Sequence, residues 1–129
     1  MSEVFNSKDL DFLLERIPEG PLSCILSFKI FKPKTRAELQ YAVYEWCEER
    51  KKAMEKYGHI NEWDTSMITD MRLLFSYMVE FNDNIGNWDV SNVTNMSQMF
   101  HGAHTFNQYI GDWDVSNVTD MACMFTKAY

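Results

Sequence analysis

An interval of 25 residues runs through the second half of this chain and restricts its possible folds more than any other feature. Trp63, Trp88 and Trp113 recur at that interval, as do Asp64, Asp89 and Asp114, then Ser66, Ser91 and Ser116. Met71, Met96 and Met121 follow the same step, and so do Phe75, Phe100 and Phe125. Between these blocks FNDNIG at 81–86 matches FNQYIG at 106–111, so the repeated unit fills the whole interval. A unit this short cannot enclose its own apolar face. Each one must stack on its neighbours and share a continuous core.

The pattern within the unit predicts an α/β fold, a short leucine-rich-repeat-like solenoid of parallel strands and short helices behind an N-terminal helical cap. Ile85, Trp88, Val90 and Val93 read as an extended run lining a parallel sheet at roughly 4.8 Å per repeat. Met96, Met99 and Phe100 fall at helical spacing, which predicts one or two turns of helix over 94–100. Leu74, Met99 and Met124 share an apolar column and are expected inside. Arg72, Ser97 and Ala122 share a variable one, as do Tyr77, Gly102 and Lys127, and these are expected outside. The methionine columns read as core filling rather than as metal or redox chemistry. Stacked carboxylates at Asp64, Asp89 and Asp114 need backbone donors or a cation to offset their repulsion. Asp, Ser and Thr in WDxSxxT are the residue types that satisfy turn and helix-start amides, which favours capping, with a calcium site as the alternative.

Ahead of the repeats, Thr35 and Glu38 form a capping-box pair at the start of a helix over 36–57, about 33 Å long. Leu39, Ala42, Val43, Trp46, Ala53, Met54 and Tyr57 make its apolar stripe and Gly58 its stop. That stripe is expected to cover the front of the first coil. The chain thus divides into a leading helical and extended segment (1–32), a capping helix (33–57) and the repeats (58–129). In the first of these, helices are expected over 7–16 and from Pro21 to Phe28, followed by a strand-like FKIFKP. At the other end the edge around Trp113 to Val115 is expected to be open and to dock on a second chain, or on a copy of this one.

With 19 acidic against 12 basic side chains the net charge is −7, which argues against nucleic acid. Arg50, Lys51 and Lys52 alternate with Glu48, Glu49 and Glu55 as on a salt-bridged helix face. No secretory leader and no run long enough for membrane insertion is visible, so a cytoplasmic or virion-associated setting is expected before a secreted one. Cys24, Cys47 and Cys123 read as reduced, buried thiols. His101 and His104 lie three apart without a recurring acidic or cysteine partner. With no converging nucleophile, base or metal set, the chain is expected to have no catalytic residues, no cofactor and no metal.

WDVSNVTNMSQMF, its copies, and FNQYIGDWDVSNVTDM resemble the BspA-like leucine-rich-repeat surface proteins, whose 25-residue form is abundant in mycoplasma lipoprotein-associated proteins. The resemblance covers 58–129. The lead-in FKPKTRAELQYAVYEWCEERKKAMEKYGHINEWDTS is similar to the segment before such repeats in protists, algae and giant viruses, which extends it to 31–129. It implies a leucine-rich-repeat-like fold and non-enzymatic binding of a macromolecular partner, often as adhesins touching host proteins. The sequence departs from secreted members in lacking a leader or lipobox, and Asn92, Asn95 and Asn117 are glycosylation sequons only if it is secreted. Two further readings compete. IPEGPLSCILSF resembles the start of an F-box, as in a substrate adaptor of a ubiquitin ligase. An acidic repeat unit also suits a structural component of a particle such as a giant-virus virion.

Overall fold

The computed structural model describes residues 29–128. The helices expected over 7–16 and from Pro21, Cys24 and the F-box-like stretch lie outside those residues. Two α-helices, α1 (Arg36–Glu48) and α2 (Arg50–Tyr57), lead through a 3-10 turn at Ile60–Glu62 into the repeats. Thr35 caps α1 by accepting from the Glu38 amide at 3.1 Å, as the capping-box pair predicts. The return bond goes one residue further back, with the Lys34 amide donating to Glu38 Oε1 at 2.7 Å.

The single straight helix expected over 36–57 is broken at Glu49, whose backbone leaves the helical region (φ −138°, ψ 68°). The break brings residues 12 apart together. Tyr57 Oη donates to Glu45 at 2.6 Å and Lys56 Nζ to the same carboxylate at 3.3 Å. In a straight helix those positions would lie about 18 Å apart along the axis. Leu39, Ala42, Val43, Trp46 and Ala53 are buried as the stripe predicts, whereas Met54 is 40% exposed, because the bend turns its side of α2 to solvent.

The expected α/β class is overturned. Among the described residues there is no strand and no helix within the repeats, and parallel pairing is limited to isolated bridges of Asp70 with Asn95 and of Asn95 with Asp120. The FKIFKP segment, from residue 29 on, also forms no strand; Phe31 instead packs edge-on to Trp63 with ring centroids 5.3 Å apart.

The reason lies in where the amides go. In the second repeat Met96, Gln98, Phe100 and Gly102 donate to the carbonyls of Asp120, Ala122, Met124 and Thr126 in the third, at 2.8–2.9 Å. Of the amides between them, Ser97 donates to Asn95 Oδ1, while Met99 and His101, and then Ala103, turn back three residues to Met96, Gln98 and Phe100. Half of the amides an α-helix would need internally are therefore spent on the next repeat, so 94–100 becomes a run of turns. The same holds where strands were expected: Trp88 and Val93 donate to Ile85 and Val90, three residues back. Ile85, Trp88, Val90 and Val93 are spaced three, two and three apart, the steps of consecutive turns rather than of a pleat.

These turns hold Leu73, Tyr77, Gln98, Gly102, Cys123 and Lys127 in the left-handed region (φ 57° to 73°), two positions in each repeat. Gly102 was expected outside with Tyr77 and Lys127, but it is buried beneath the Tyr77 ring.

The repeats carry their rings in register. Phe75, Phe100 and Phe125 stack with centroids 5.5 Å apart at each step and planes within 3°. Phe81 and Phe106 form a second column, 5.8 Å apart, pressed against the first at 4.3 Å. Trp63 stacks on Trp88 at 6.3 Å. Trp88 Nε1 and Trp113 Nε1 each donate to the carbonyl 28 residues earlier, of Ile60 and Ile85. These separations lie in the range where offset aromatic pairs attract beyond their area burial.

Trp46 joins the helices to this core. Its ring is fully buried and its Nε1 donates to Asp83 at 3.0 Å, while Arg50 donates to both oxygens of Asp83 and lies over the Trp46 ring at 4.6 Å. Asp83→Ala leaves the buried indole N–H unpaired and is expected to cost about 1–3 kcal/mol in urea denaturation, whereas Arg50→Ala, on the exposed side of the pair, costs less than about 1 kcal/mol. At Gly102 (φ 73°) an added Cβ would stand 2.6 Å from Tyr77 Cδ1. Gly102→Ala is expected to destabilise by about 1 kcal/mol or more, with Tyr77→Ala relieving the steric part in a double-mutant cycle.

Candidate functional site

Every inter-repeat bond has a direction. Met71, Leu73, Phe75 and Tyr77 donate forward to Asn95, Ser97, Met99 and His101 at 2.7–3.1 Å, as their second-repeat counterparts donate to the third. The return bonds that recur at both junctions come from side chains and from a threonine amide. Asn92 Nδ2 and Asn117 Nδ2 donate to the Ser66 and Ser91 carbonyls at 2.8 and 2.7 Å. Thr94 and Thr119 each donate an amide and a hydroxyl to the threonine carbonyl one repeat earlier. The sequon asparagines 92 and 117 are thus structural donors.

At the front, α1 stands in for a preceding repeat. The carbonyls of Arg72 and Leu74, which in later repeats would accept from the repeat before, accept from Arg36 and from Gln40 Nε2 (3.1 Å). Trp63 Nε1 turns to the Gly58 carbonyl at 3.1 Å, and the Asp64 amide to Phe31 at 2.9 Å. The apolar stripe revealed that α1 covers this end; Arg36 and Gln40 as its hydrogen-bonding edge carry no sequence signal beyond their place on the helix.

At the far side the third repeat holds the same groups without acceptors or donors. The amides of Met121, Cys123, Phe125 and Lys127 have no partner among the described residues, and neither does a side-chain donor reach the carbonyls of Ser116 and Thr119. The apolar columns open at the same step. Met71 and Met96 are fully buried but Met121 is 44% exposed, and Phe75 and Phe100 are fully buried but Phe125 is 51% exposed. Val115 and Val118 are half-buried where Val90 and Val93 are buried. Cys123, expected buried, is exposed on this face, while burial pushes the Cys47 thiol up to about 11.

The carboxylate columns are occupied by their own turns. Asp64, Asp89 and Asp114 accept the amides of Ser66, Ser91 and Ser116 at 3.0–3.1 Å, and Asp89 and Asp114 also accept the serine hydroxyls. Asp70, Asn95 and Asp120 accept amides two residues on in the same way, at 2.9 Å, so acid and amide are interchangeable there. The capping expected from WDxSxxT is of turns, not of helix starts. His101 bonds Tyr77 Oη through Nε2 at 3.0 Å, which ties it to the neighbouring repeat. A cleft of about 730 Å³ lies between α1 and the first repeat, walled by Tyr44, Cys47, Leu73, Tyr77 and Val79.

The family model described as Mycoplasma protein of unknown function, DUF285, matches residues 42–129. No curated protein and no solved structure matches the chain.

Hydrogen bonds from Ser66 and Ser116 hold the carboxyls of Asp64 and Asp114 below the usual range, and the Tyr57 hydroxyl does the same for Glu45. A carboxylate with a lowered folded-state pKa stabilises the fold above its unfolded value and loses that contribution as pH falls through the folded one. Stability is therefore expected to be flat near neutrality and to decline below about pH 4. Asp64→Asn, which keeps the acceptor oxygen and removes the titration, makes the decline shallower when urea midpoints are compared across pH.

Proposed function

The chain belongs to the DUF285 family, and we propose that it is a non-enzymatic protein-binding module whose contact surface is the cleft between α1 and the first repeat. The observation that carries this reading is the cluster of exposed apolar side chains that wall this cleft, Tyr44, Leu73, Tyr77 and Val79. A contiguous patch of exposed apolar side chains on a folded chain commonly marks a binding surface. The motif resemblance to BspA-like repeats supports the same reading, since those proteins act by binding. The partner is a protein. The net charge of −7 disfavours nucleic acid, and among the described residues no helix is long and apolar enough to cross a membrane.

Crosslinking mass spectrometry in the native source tests this. Partner crosslinks are expected at Lys51 and Lys52, next to the cleft-lining Arg50, and Tyr44→Glu is expected to remove them while leaving far-ultraviolet circular dichroism unchanged. Crosslinks confined to the third repeat, and indifferent to Tyr44→Glu, would refute the assignment.

A further inference from the structure

We infer that the cleft receives a tryptophan carried on a basic segment of the protein partner, with the indole N–H donating to the Ser76 carbonyl; this rests on the reading of the cleft as the contact surface. The first ground is a hydrogen bond left open inside the cleft. In the forward row the carbonyls at 97, 99 and 101 accept from the first repeat, and those at 122, 124 and 126 from the second. Their counterparts in the first repeat are Arg72, Leu74 and Ser76. Arg36 and Gln40, one turn apart on α1, donate to the first two. Ser76 borders the cleft, and its carbonyl has no donor among the described residues. Tyr44, one turn further along α1, stands 57% exposed instead of reaching it. An occupant that covers this carbonyl has to donate to it or leave it buried and unpaired.

The second ground is the lining. Tyr44, Leu73, Tyr77 and Val79 are 41–61% exposed, and the half-buried sulfurs of Cys47 and Met78, 3.5 Å apart, share the cleft with them. Rings and sulfurs together favour an aromatic guest. The Tyr77 wall is fixed beforehand, because its hydroxyl bonds His101 Nε2 at 3.0 Å and its ring closes over Gly102. Little ordering of that wall is then left to oppose binding. Tryptophan joins a large ring to an N–H that only donates. The fold itself uses this pairing at Trp63, Trp88 and Trp113, each of which gives Nε1 to a backbone carbonyl.

The third ground is charge. Both arginines at the cleft are engaged, Arg36 by the Arg72 carbonyl and Asp70, Arg50 by Asp83. Glu48 on α1 and Glu80 on the first repeat border the cleft, are exposed, and have no ion-pair partner among the described residues. The uncompensated charge at the cleft is therefore negative, as is the whole chain at −7. Both favour lysine or arginine on either side of the inserted ring.

The test titrates the full chain into the fluorescein-labelled peptide Lys-Lys-Trp-Lys-Lys and follows anisotropy. Saturable binding with a Kd below about 1 mM is expected. Replacing the tryptophan by leucine, or by 1-methyltryptophan, which keeps the ring and loses the donor, is expected to weaken binding by about tenfold. Glu48→Gln combined with Glu80→Gln, both on exposed residues, is expected to weaken it by about tenfold at low salt and to flatten its salt dependence. Equal binding by either replaced peptide overturns the inference, as do indifference to the glutamine pair and absence of binding at about 1 mM. If crosslinks at Lys51 and Lys52 still vanish with Tyr44→Glu in that case, the cleft stands as the contact surface and only its occupant is wrong. An intrachain crosslink from Lys8 to Lys51 or Lys52 that Tyr44→Glu removes also overturns the inference, by naming the chain's own leading residues as occupant. Crosslinks confined to the third repeat overturn the contact surface itself.

Discussion

The forward row of amide-to-carbonyl bonds sets the geometry from which the rest of the repeat structure follows. Because alternate amides leave the chain for the next repeat, the amides between them can close only short turns, and neither helix nor pleated strand can develop. Each repeat then needs two residues in the left-handed region, a cost of roughly 1–2 kcal/mol apiece for residues other than glycine. The stacked rings offset that cost. With each repeat hydrogen-bonded directly to the next, phenylalanines one repeat apart stack face to face, offset, at 5.5 Å, and the two such columns lie in contact.

Directionality follows from the same row. A stack whose main amide row donates forward presents a row of acceptor carbonyls at its front. The acceptor end is closed by α1, whose Arg36 and Gln40 carry the long donor side chains that carbonyls at 72 and 74 require. The break at Glu49 belongs to this closure. It folds α2 back so that Tyr57 meets both Glu45 and Phe31, and so that Arg50 meets Asp83 beside the buried Trp46. A straight helix would carry Tyr57 away from the core.

The existence of stacking, its register, the buried columns and the covering role of the first helix were all legible, because each depends on which side chains recur at 25-residue intervals. What was not legible was the backbone path inside the unit. Trp88, Val90 and Val93 suit a strand and Met96, Met99 and Phe100 suit a helix as long as each segment is considered alone. Only the destination of the amides between them decides otherwise, and an amide's destination leaves no trace in side-chain identity. Gly102 was misplaced for a related reason. Its column mates Tyr77 and Lys127 are exposed, and its burial depends on the Tyr77 ring of the repeat before it folding across the junction. Phe81 and Phe106 carried a signal that went unused, since FN recurs at 81 and 106 as strictly as the tryptophans do.

The polar columns bear on how such a stack chooses its neighbours. Rings and methionines make an apolar surface that many sequences could cover, so they supply affinity without much discrimination. The asparagine and threonine at each junction act differently: they satisfy backbone carbonyls that would otherwise be lost to water when the face is covered, and a neighbour lacking them leaves those carbonyls buried and unpaired. The discrimination is therefore set by a penalty against the wrong neighbour. Asn92 and Thr94 do this at the first junction, Asn117 and Thr119 at the second.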